Sequence, residues 1–289
     1  VENGPYCPAL IDYIKNHYGE YQAIIFFSYG TYISSLGLQT GLNNGLFIPT
    51  VHEPISIRSL SYEKVFEGVQ GFIYNSYEER EMVRSVFSNS DKKEMVTCVG
   101  FDEPDVDKID NSISMKYGEY MIYVGRISDS KNCQKLFDYF INYKKRNPSE
   151  LKLVLVGKED GVKIPAHRDI IHAGFVSEME KVALIKGAKF LVNNSINESL
   201  SLVMLESMIL GRPVIVNGNC DVMRGQCQRS NAGLYYNNYQ EFEAVINFML
   251  THSHEYEAMC KNGLDFVRKN YTWTVVIKNI CDFIETYRK

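Results

Sequence analysis

Paired cysteines are missing from this sequence. The seven cysteines, Cys7, Cys98, Cys133, Cys220, Cys227, Cys260 and Cys281, are odd in number and scattered, and no C-x-x-C spacing occurs. That argues against a zinc site and against a disulfide framework, and the free thiols point to a reducing compartment. Positive charge is not in excess either: 31 basic against 35 acidic residues give a net charge of −4. There is thus no electrostatic footprint for nucleic acid. An anionic ligand would have to be held by a few placed cations and helix ends, not by a bulk field. No apolar run approaches the roughly 18 residues of a membrane span, and no signal-peptide pattern opens the chain. The six histidines show no metal-ligand spacing. The chain starts at Val1, so it is expected to begin partway through a longer polypeptide.

What is present is alternation. Short apolar runs at 23–28, 46–51, 71–75, 95–99, 120–124, 151–156, 170–173, 190–193 and 213–216 read as strands. Helical patterns lie at 7–17, 78–88, 133–146, 178–187, 200–210, 239–251, 254–269 and 274–287. Strand–helix alternation is the signature of βαβ units and parallel sheets, so an α/β fold is expected. Residues 102–116 are polar, acidic and without period, and read as a linker. The expected organisation is 1–102 as the back part of a first Rossmann-like, doubly wound domain, apparently incomplete. A linker over 103–116 follows, then a complete second domain over 117–272 and a terminal helix over 273–289.

Candidate chemistry concentrates in the second segment. The strand 120–124 runs into Gly125 and Arg126, and Lys131 closes the same turn before a helix. Doubly wound sheets bind ligands at the carboxyl ends of their strands. A diphosphate suits this pair, a planar fork and a flexible point charge, although two solvated loop cations would read the same way. Further on, Glu198-Ser199-Leu200-Ser201-Leu202 leads into a helix carrying Glu206. Backbone N–H groups of a helix start suit a phosphate. Two carboxylates beside a phosphate make sense if they accept hydrogen bonds from sugar hydroxyls. Taken singly, Glu198 is equally a helix-start charge and Glu206 a solvated helix residue. Leu202, Leu205 and Ile209 are placed to pack on the sheet.

The ordered set Gly125-Arg126…Lys131 and Glu198-x7-Glu206 resembles glycosyltransferase family 4, a retaining group of bacterial-type group 1 glycosyltransferases with the GT-B fold. Val154-Leu-Val-Gly157 and His172-Ala-Gly174-Phe175-Val176 resemble further strands of that family's second domain. In the first segment, Pro49-Thr-Val-His52-Glu53 resembles its histidine loop, Tyr74-Asn75-Ser76 with Glu79 its helix start, and Val99-Gly100-Phe101-Asp102 the turn before its linker.

The resemblance implies two Rossmann-like domains facing a cleft. It implies a hexosyltransferase that is retaining, metal-independent and without cofactor. The donor would be a nucleoside-diphosphate sugar and the acceptor a glycan, lipid-linked or protein group. By resemblance Arg126 and Lys131 hold the diphosphate, and Glu206 the ribose. Glu198 contacts the donor sugar, and Gly125, Ser199, Leu200, Ser201 and Leu202 line the donor site. His52 reaches the donor sugar and acceptor, with a packing role as its alternative. A role in bacterial surface polysaccharide or glycoconjugate synthesis is implied, in the cytoplasm, with peripheral association at the inner membrane face. The chain departs from the family in Ser199–Ser201, where Gly-Phe-Gly is common, and in Asn132, where glycine is common. The segment 217–233 is longer than a bare turn and is expected to shape the base or sugar pocket. Asp105-x-Asp107 copies a metal motif of another glycosyltransferase fold but lies in the linker. The rival readings are a non-catalytic nucleotide-sugar-binding accessory subunit and, within the fold, an epimerase or phosphorylase.

Overall fold

The computed structural model describes residues 4–87, 91–97 and 99–287, with the side chains of Pro54 and Leu60 left aside. Cys98 and the end of the helical pattern 78–88 lie outside the described residues. The chain divides into two α/β units: Val1–Gly100 with Glu198–Leu200 and Trp273–Lys289, and Phe101–Asn197 with Ser201–Thr272.

In the first unit, β1 (Ile24–Phe27), β2 (Gly45–Ile48), β3 (Gly71–Tyr74) and β4 (Lys93–Val96) form one parallel sheet in chain order. Apart from Leu46 and Met95, their apolar side chains are β-branched or aromatic, which suits a pleated, buried surface. Phe47, Phe72 and Tyr74 are fully buried among Phe66, Val65 and Val83. The terminal helix Trp273–Glu285 covers the other face, where Phe283 packs with Leu46 and Ile73. Tyr287 donates its hydroxyl to the Gln70 carbonyl at 3.2 Å. Trp273 anchors this helix: a Cβ on Gly100 would lie 2.5 Å from its ring, so only glycine fits beneath the indole. Strand β4 begins two residues earlier than the apolar run 95–99. The helices Tyr32–Gly37 and Leu60–Glu67 have no counterpart in the periodic pattern.

The second unit contains β5 (Tyr120–Val124), β6 (Ile127–Ser128), β7 (Lys152–Val156), β8 (Glu159–Asp160), β9 (Ile170–Gly174), β10 (Leu191–Asn193), β11 (Val214–Asn217) and β12 (Gly233–Tyr236). Six of them make a parallel sheet in the order β12-β11-β10-β5-β7-β9. The chain steps outward through β5, β7 and β9, then returns to place β10 against the other side of β5. That reversal is a topological switch point, and it lies between β5 and β10. The strands are near-continuous apolar runs because helices cover both faces. One core joins Phe137 and Phe140 of the helix Cys133–Arg146 to Leu153, Leu155, Phe190 and Phe242.

One expectation needs correction, that of Leu202. The segment 217–233 is indeed longer than a bare turn: it holds the helix Asp221–Ser230 and leads into β12. Leu202 does not pack on the sheet but is 41% exposed, while Met204, Leu205 and Met208 are fully buried. The polar stretch 102–116 contains a turn, Val106–Lys108, and a short helix, Ser112–Met115. Ser114 of that helix packs closely on Gly187. Asp105 accepts from the Asp107 N–H and pairs with Lys108 at 2.8 Å, as a turn cap does.

Candidate functional site

The carboxyl ends of β5 and β7 converge on a cavity of about 540 Å³, within the range of small-ligand sites. The convergence is a glycine effect. Gly125 and Gly157 follow β5 and β7 with φ of 150° and 141°. A Cβ on Gly157 would lie 1.9 Å from the Gly125 carbonyl oxygen, so no side chain fits where the two turns touch. His172 on β9 seals the junction, its Nε2 lying 2.8 Å from the Gly157 carbonyl oxygen. Beyond the glycines, β6 and β8 pair side by side and carry the two turns forward as one wall.

Arg126 lines this cavity together with Val124, Gly125, Lys158, Asp160 and Lys181. Its side chain is 66% exposed and pairs with Asp160 at 3.5 Å. An exposed pair of that length is worth little, so the guanidinium is free to exchange Asp160 for an incoming anion. At the rim the Phe175 ring is exposed, with Lys158 Nζ 5.0 Å from its centroid.

Lys181 is the residue that sequence reasoning missed. It stands in the first turn of the helix Glu178–Gly187, which starts with a capping box between Ser177 and Glu180. Its side chain is only 19% exposed, and its ammonium lies 2.9 Å from Glu178 and 3.1 Å from Glu206. Burial opposes its charge, but the pairs with Glu178 and Glu206 outweigh burial and hold it above the ordinary lysine range. A cation in the first turn opposes the helix dipole. That local oddity was the available signal, and it was hidden inside a run read only as a helix.

Glu206, on the helix Leu202–Ile209, is thereby joined to the cavity wall through Lys181. A carboxylate offers about four lone-pair sites, so the ion pair leaves Glu206 with acceptor capacity. The start of its helix, at Leu202, carries no side-chain cap: Ser201 at the N-cap makes no capping bond to the first turn. Its hydroxyl instead accepts from the Asn193 amide at 3.0 Å.

The switch point itself is occupied by a buried asparagine network. Asn194, fully buried after β10, donates to the Asn132 carbonyl at 2.7 Å, and the Asn132 amide donates back to the Asn194 carbonyl at 3.3 Å. Tyr236 donates to Asn194 Oδ1 at 2.7 Å, and Asn217 to its carbonyl at 3.2 Å. The network ties the loop carrying Lys131 to the ends of β10, β11 and β12. Asn132 takes a left-handed conformation with φ 55°, which asparagine tolerates, so it can stand where glycine is common.

Of the expected site residues, Gly125 and Arg126 line the cavity and Glu206 reaches it through Lys181. Lys131 ends the turn Asp129–Lys131, and neither it nor Ser201 nor Leu202 is part of the lining. The helix Asp221–Ser230 is not part of it either. Glu198, Ser199 and Leu200 group with the first unit. So does His52, in the loop that follows β2, where its ring lies 6.2 Å from that of Tyr29.

Known proteins share this architecture. The crystal structure of Anabaena Alr3699/HepE in complex with UDP superposes with a TM-score of 0.78 at 13% identity, over 96% of this chain and 82% of that one. Sucrose-phosphate synthase from Thermosynechococcus elongatus gives a TM-score of 0.71 at 16% identity, over 99% and 82%. At such identities the likeness establishes the fold, the GT-B type of α/β protein. In sequence, alpha-monoglucosyldiacylglycerol synthase of Streptococcus pneumoniae is 26% identical over 138 residues. That match spans 45% of this chain and 31% of the relative. Residues 105–266, more than half of the chain and containing the whole β5–β12 sheet, match the family described as glycosyl transferases group 1. By that match over more than half of its length, this chain belongs to the group 1 glycosyl transferases.

Proposed function

We propose that the chain is a retaining, metal-independent hexosyltransferase of glycosyltransferase family 4. It would take a nucleoside-diphosphate hexose as donor, with a UDP-linked sugar favoured. The observation that carries this is the cavity lined by Arg126 and by Lys181, whose ammonium pairs with Glu206. The UDP bound to the Anabaena neighbour supports the nucleotide, and the glucosyl lipid in the name of the streptococcal relative supports the hexose.

In this reading Arg126 and Lys131 receive the diphosphate, and Glu206 accepts the ribose hydroxyls while Lys181 holds its carboxylate in place. Gly125 gives the diphosphate close access to backbone. Glu198 contacts the sugar, and Ser199, Leu200, Ser201 and Leu202 border it. The acceptor hydroxyl attacks the anomeric carbon from the face that the leaving group vacates. The anomeric C–O bond to the β-phosphate breaks, and the acceptor proton passes to the departing phosphate oxygen. Negative charge builds on that phosphate, and preplaced cations stabilise it without reorganisation. These cations make a divalent metal unnecessary, and no cofactor is required. His52 orients the donor sugar and acceptor.

The acceptor is a glycan, a lipid-linked group or a protein, in bacterial surface polysaccharide or glycoconjugate synthesis. The setting is cytoplasmic, with peripheral association at the inner membrane face. Among the described residues no helix is long and apolar enough to cross a membrane. A thermal-shift panel of UDP-, GDP- and ADP-sugars tests the donor. A ligand at 100 times its Kd stabilises by about 2.7 kcal/mol, and no shift with any of them would overturn the reading.

A further inference from the structure

At the carboxyl end of the first sheet, a buried carboxyl group bridges two strand ends. Glu79, in the first turn of the helix Tyr77–Val86, has no exposed surface. One of its oxygens accepts from the Val51 N–H at 2.7 Å, beyond the end of β2, and the other from the Asn75 N–H at 2.6 Å, after β3. Its own N–H donates to Ser76 Oγ at 3.1 Å, the N-cap of the same helix. A buried carboxyl group is costly unless it is hydrogen-bonded, and here each oxygen accepts from a backbone N–H. Its retention is explained by what it holds.

The held segment is strained. Thr50, β-branched, sits at φ 57°, a conformation that costs on the order of 1–3 kcal/mol and persists only where the surroundings impose it. Val51 is fully buried, and the next residue is His52, which is exposed. A second set of contacts borders the same loop. Tyr29, whose ring is 6.2 Å from that of His52, donates to Ser56 Oγ at 2.9 Å, and Ser56 donates to the Glu53 carbonyl at 2.8 Å. The backbone just before His52 is therefore bent into an unfavourable form and fastened there by Glu79.

We propose that Glu79 is a positioning residue, which fixes the strained Thr50–Val51 backbone so that His52 is presented in the orientation that sugar transfer uses. This rests on the role of His52 in the proposed function. It assigns a purpose to a residue that touches neither donor nor acceptor. Either oxygen of a carboxyl group, protonated or not, can accept from an N–H, whereas glutamine has one oxygen only and its NH2 group would face a backbone N–H.

The test uses the full chain and three measurements: UDP affinity by calorimetry, kcat and KM for transfer from UDP-hexose, and the His52 Cε1–Hε1 NMR signal. That signal is assigned by its loss in His52→Ala. In Glu79→Gln, UDP affinity is expected within about twofold of wild type while kcat falls about tenfold or more, and the His52 signal moves. In the double variant with His52→Ala, Glu79→Gln adds less than about a further twofold. An unchanged kcat, or losses that multiply in the double variant, would mean that Glu79 serves folding alone. If the wild-type chain transfers no sugar, the NMR signal decides. A moved signal supports positioning and leaves only the transfer reading to fall, and an unmoved one overturns the proposal. Should Glu79→Gln fail to fold, Glu79→Asp carries the same measurements, since it keeps the carboxyl group but withdraws it by one methylene.

Discussion

The ammonium of Lys181 lies 3.1 Å from the Glu206 carboxylate, although the two residues stand on different helices and 25 positions apart. Glu178 completes the cluster at 2.9 Å from the same ammonium. A carboxylate gains a defined orientation from such a tether, and Lys181 and Glu178 line the cavity.

Glu206→Ala should weaken nucleotide binding by about tenfold or more, as loss of hydrogen bonds to a charged group does. Lys181→Met should weaken it less and leave Glu206 unoriented. Calorimetric titration with UDP measures both. Equal affinity for wild type and Glu206→Ala would remove Glu206 from the site.

Arg126 is expected to act on the barrier more than on binding. Arg126→Ala should raise it by about 3 kcal/mol, which is on the order of a hundredfold in kcat. Arg126→Lys should restore little, because an ammonium lacks the planar fork. Single-turnover kinetics with saturating donor would show whether the chemical step is the one that slows.

Gly157→Ala tests the glycine junction. The added methyl would meet the Gly125 carbonyl at 1.9 Å, at a φ of 141°. The two turns must separate, so a loss of about 2 kcal/mol or more in unfolding free energy is expected, with weaker UDP binding. Gly161→Ala, where no atom lies within 4 Å of the added methyl, provides the comparison, since it shares a positive φ, 83°, without the clash. Equal losses in the two variants would assign the effect to backbone strain alone.

Glu79 should make stability depend on pH. Burial pushes its carboxyl from 4.5 up to about 8, against the lowering effect of the Asn75 and Val51 N–H bonds. The folded chain therefore binds this proton more tightly than the unfolded chain. Its contribution is full below pH 4.5 and is lost as pH rises towards 8. Thermal unfolding of wild type and Glu79→Gln from about pH 5 to about pH 8.5 should show this falling component in wild type only. Parallel curves would contradict it.

Much of the fold was legible because buried parallel strands are continuous apolar runs. The strand 120–124 and the helices 133–146, 178–187 and 239–251 were bounded as the structure has them. Strand β12 was not, since Gly233-Leu-Tyr-Tyr236 is only partly buried at the sheet edge and follows a helix of low apolar content. Arg126 and Glu206 were legible as candidates by their places after a strand and on a helix. Lys181 was not, because Glu206, the partner that joins it to the candidate site, comes from a different helix 25 positions further along the chain.

The amino-acid sequence by itself determined the α/β class, the parallel strands and the family, since these follow from local periodicity and from residue types at set spacings. Only the tertiary structure decided that Lys181 joins Glu206 to the cavity, that Asn194 is the hub of the switch point and that Glu79 holds the backbone before His52. Each of these rests on hydrogen-bond geometry between segments 25 to 62 residues apart, and directional contacts of that range exist only once the sheets have brought the strand ends together.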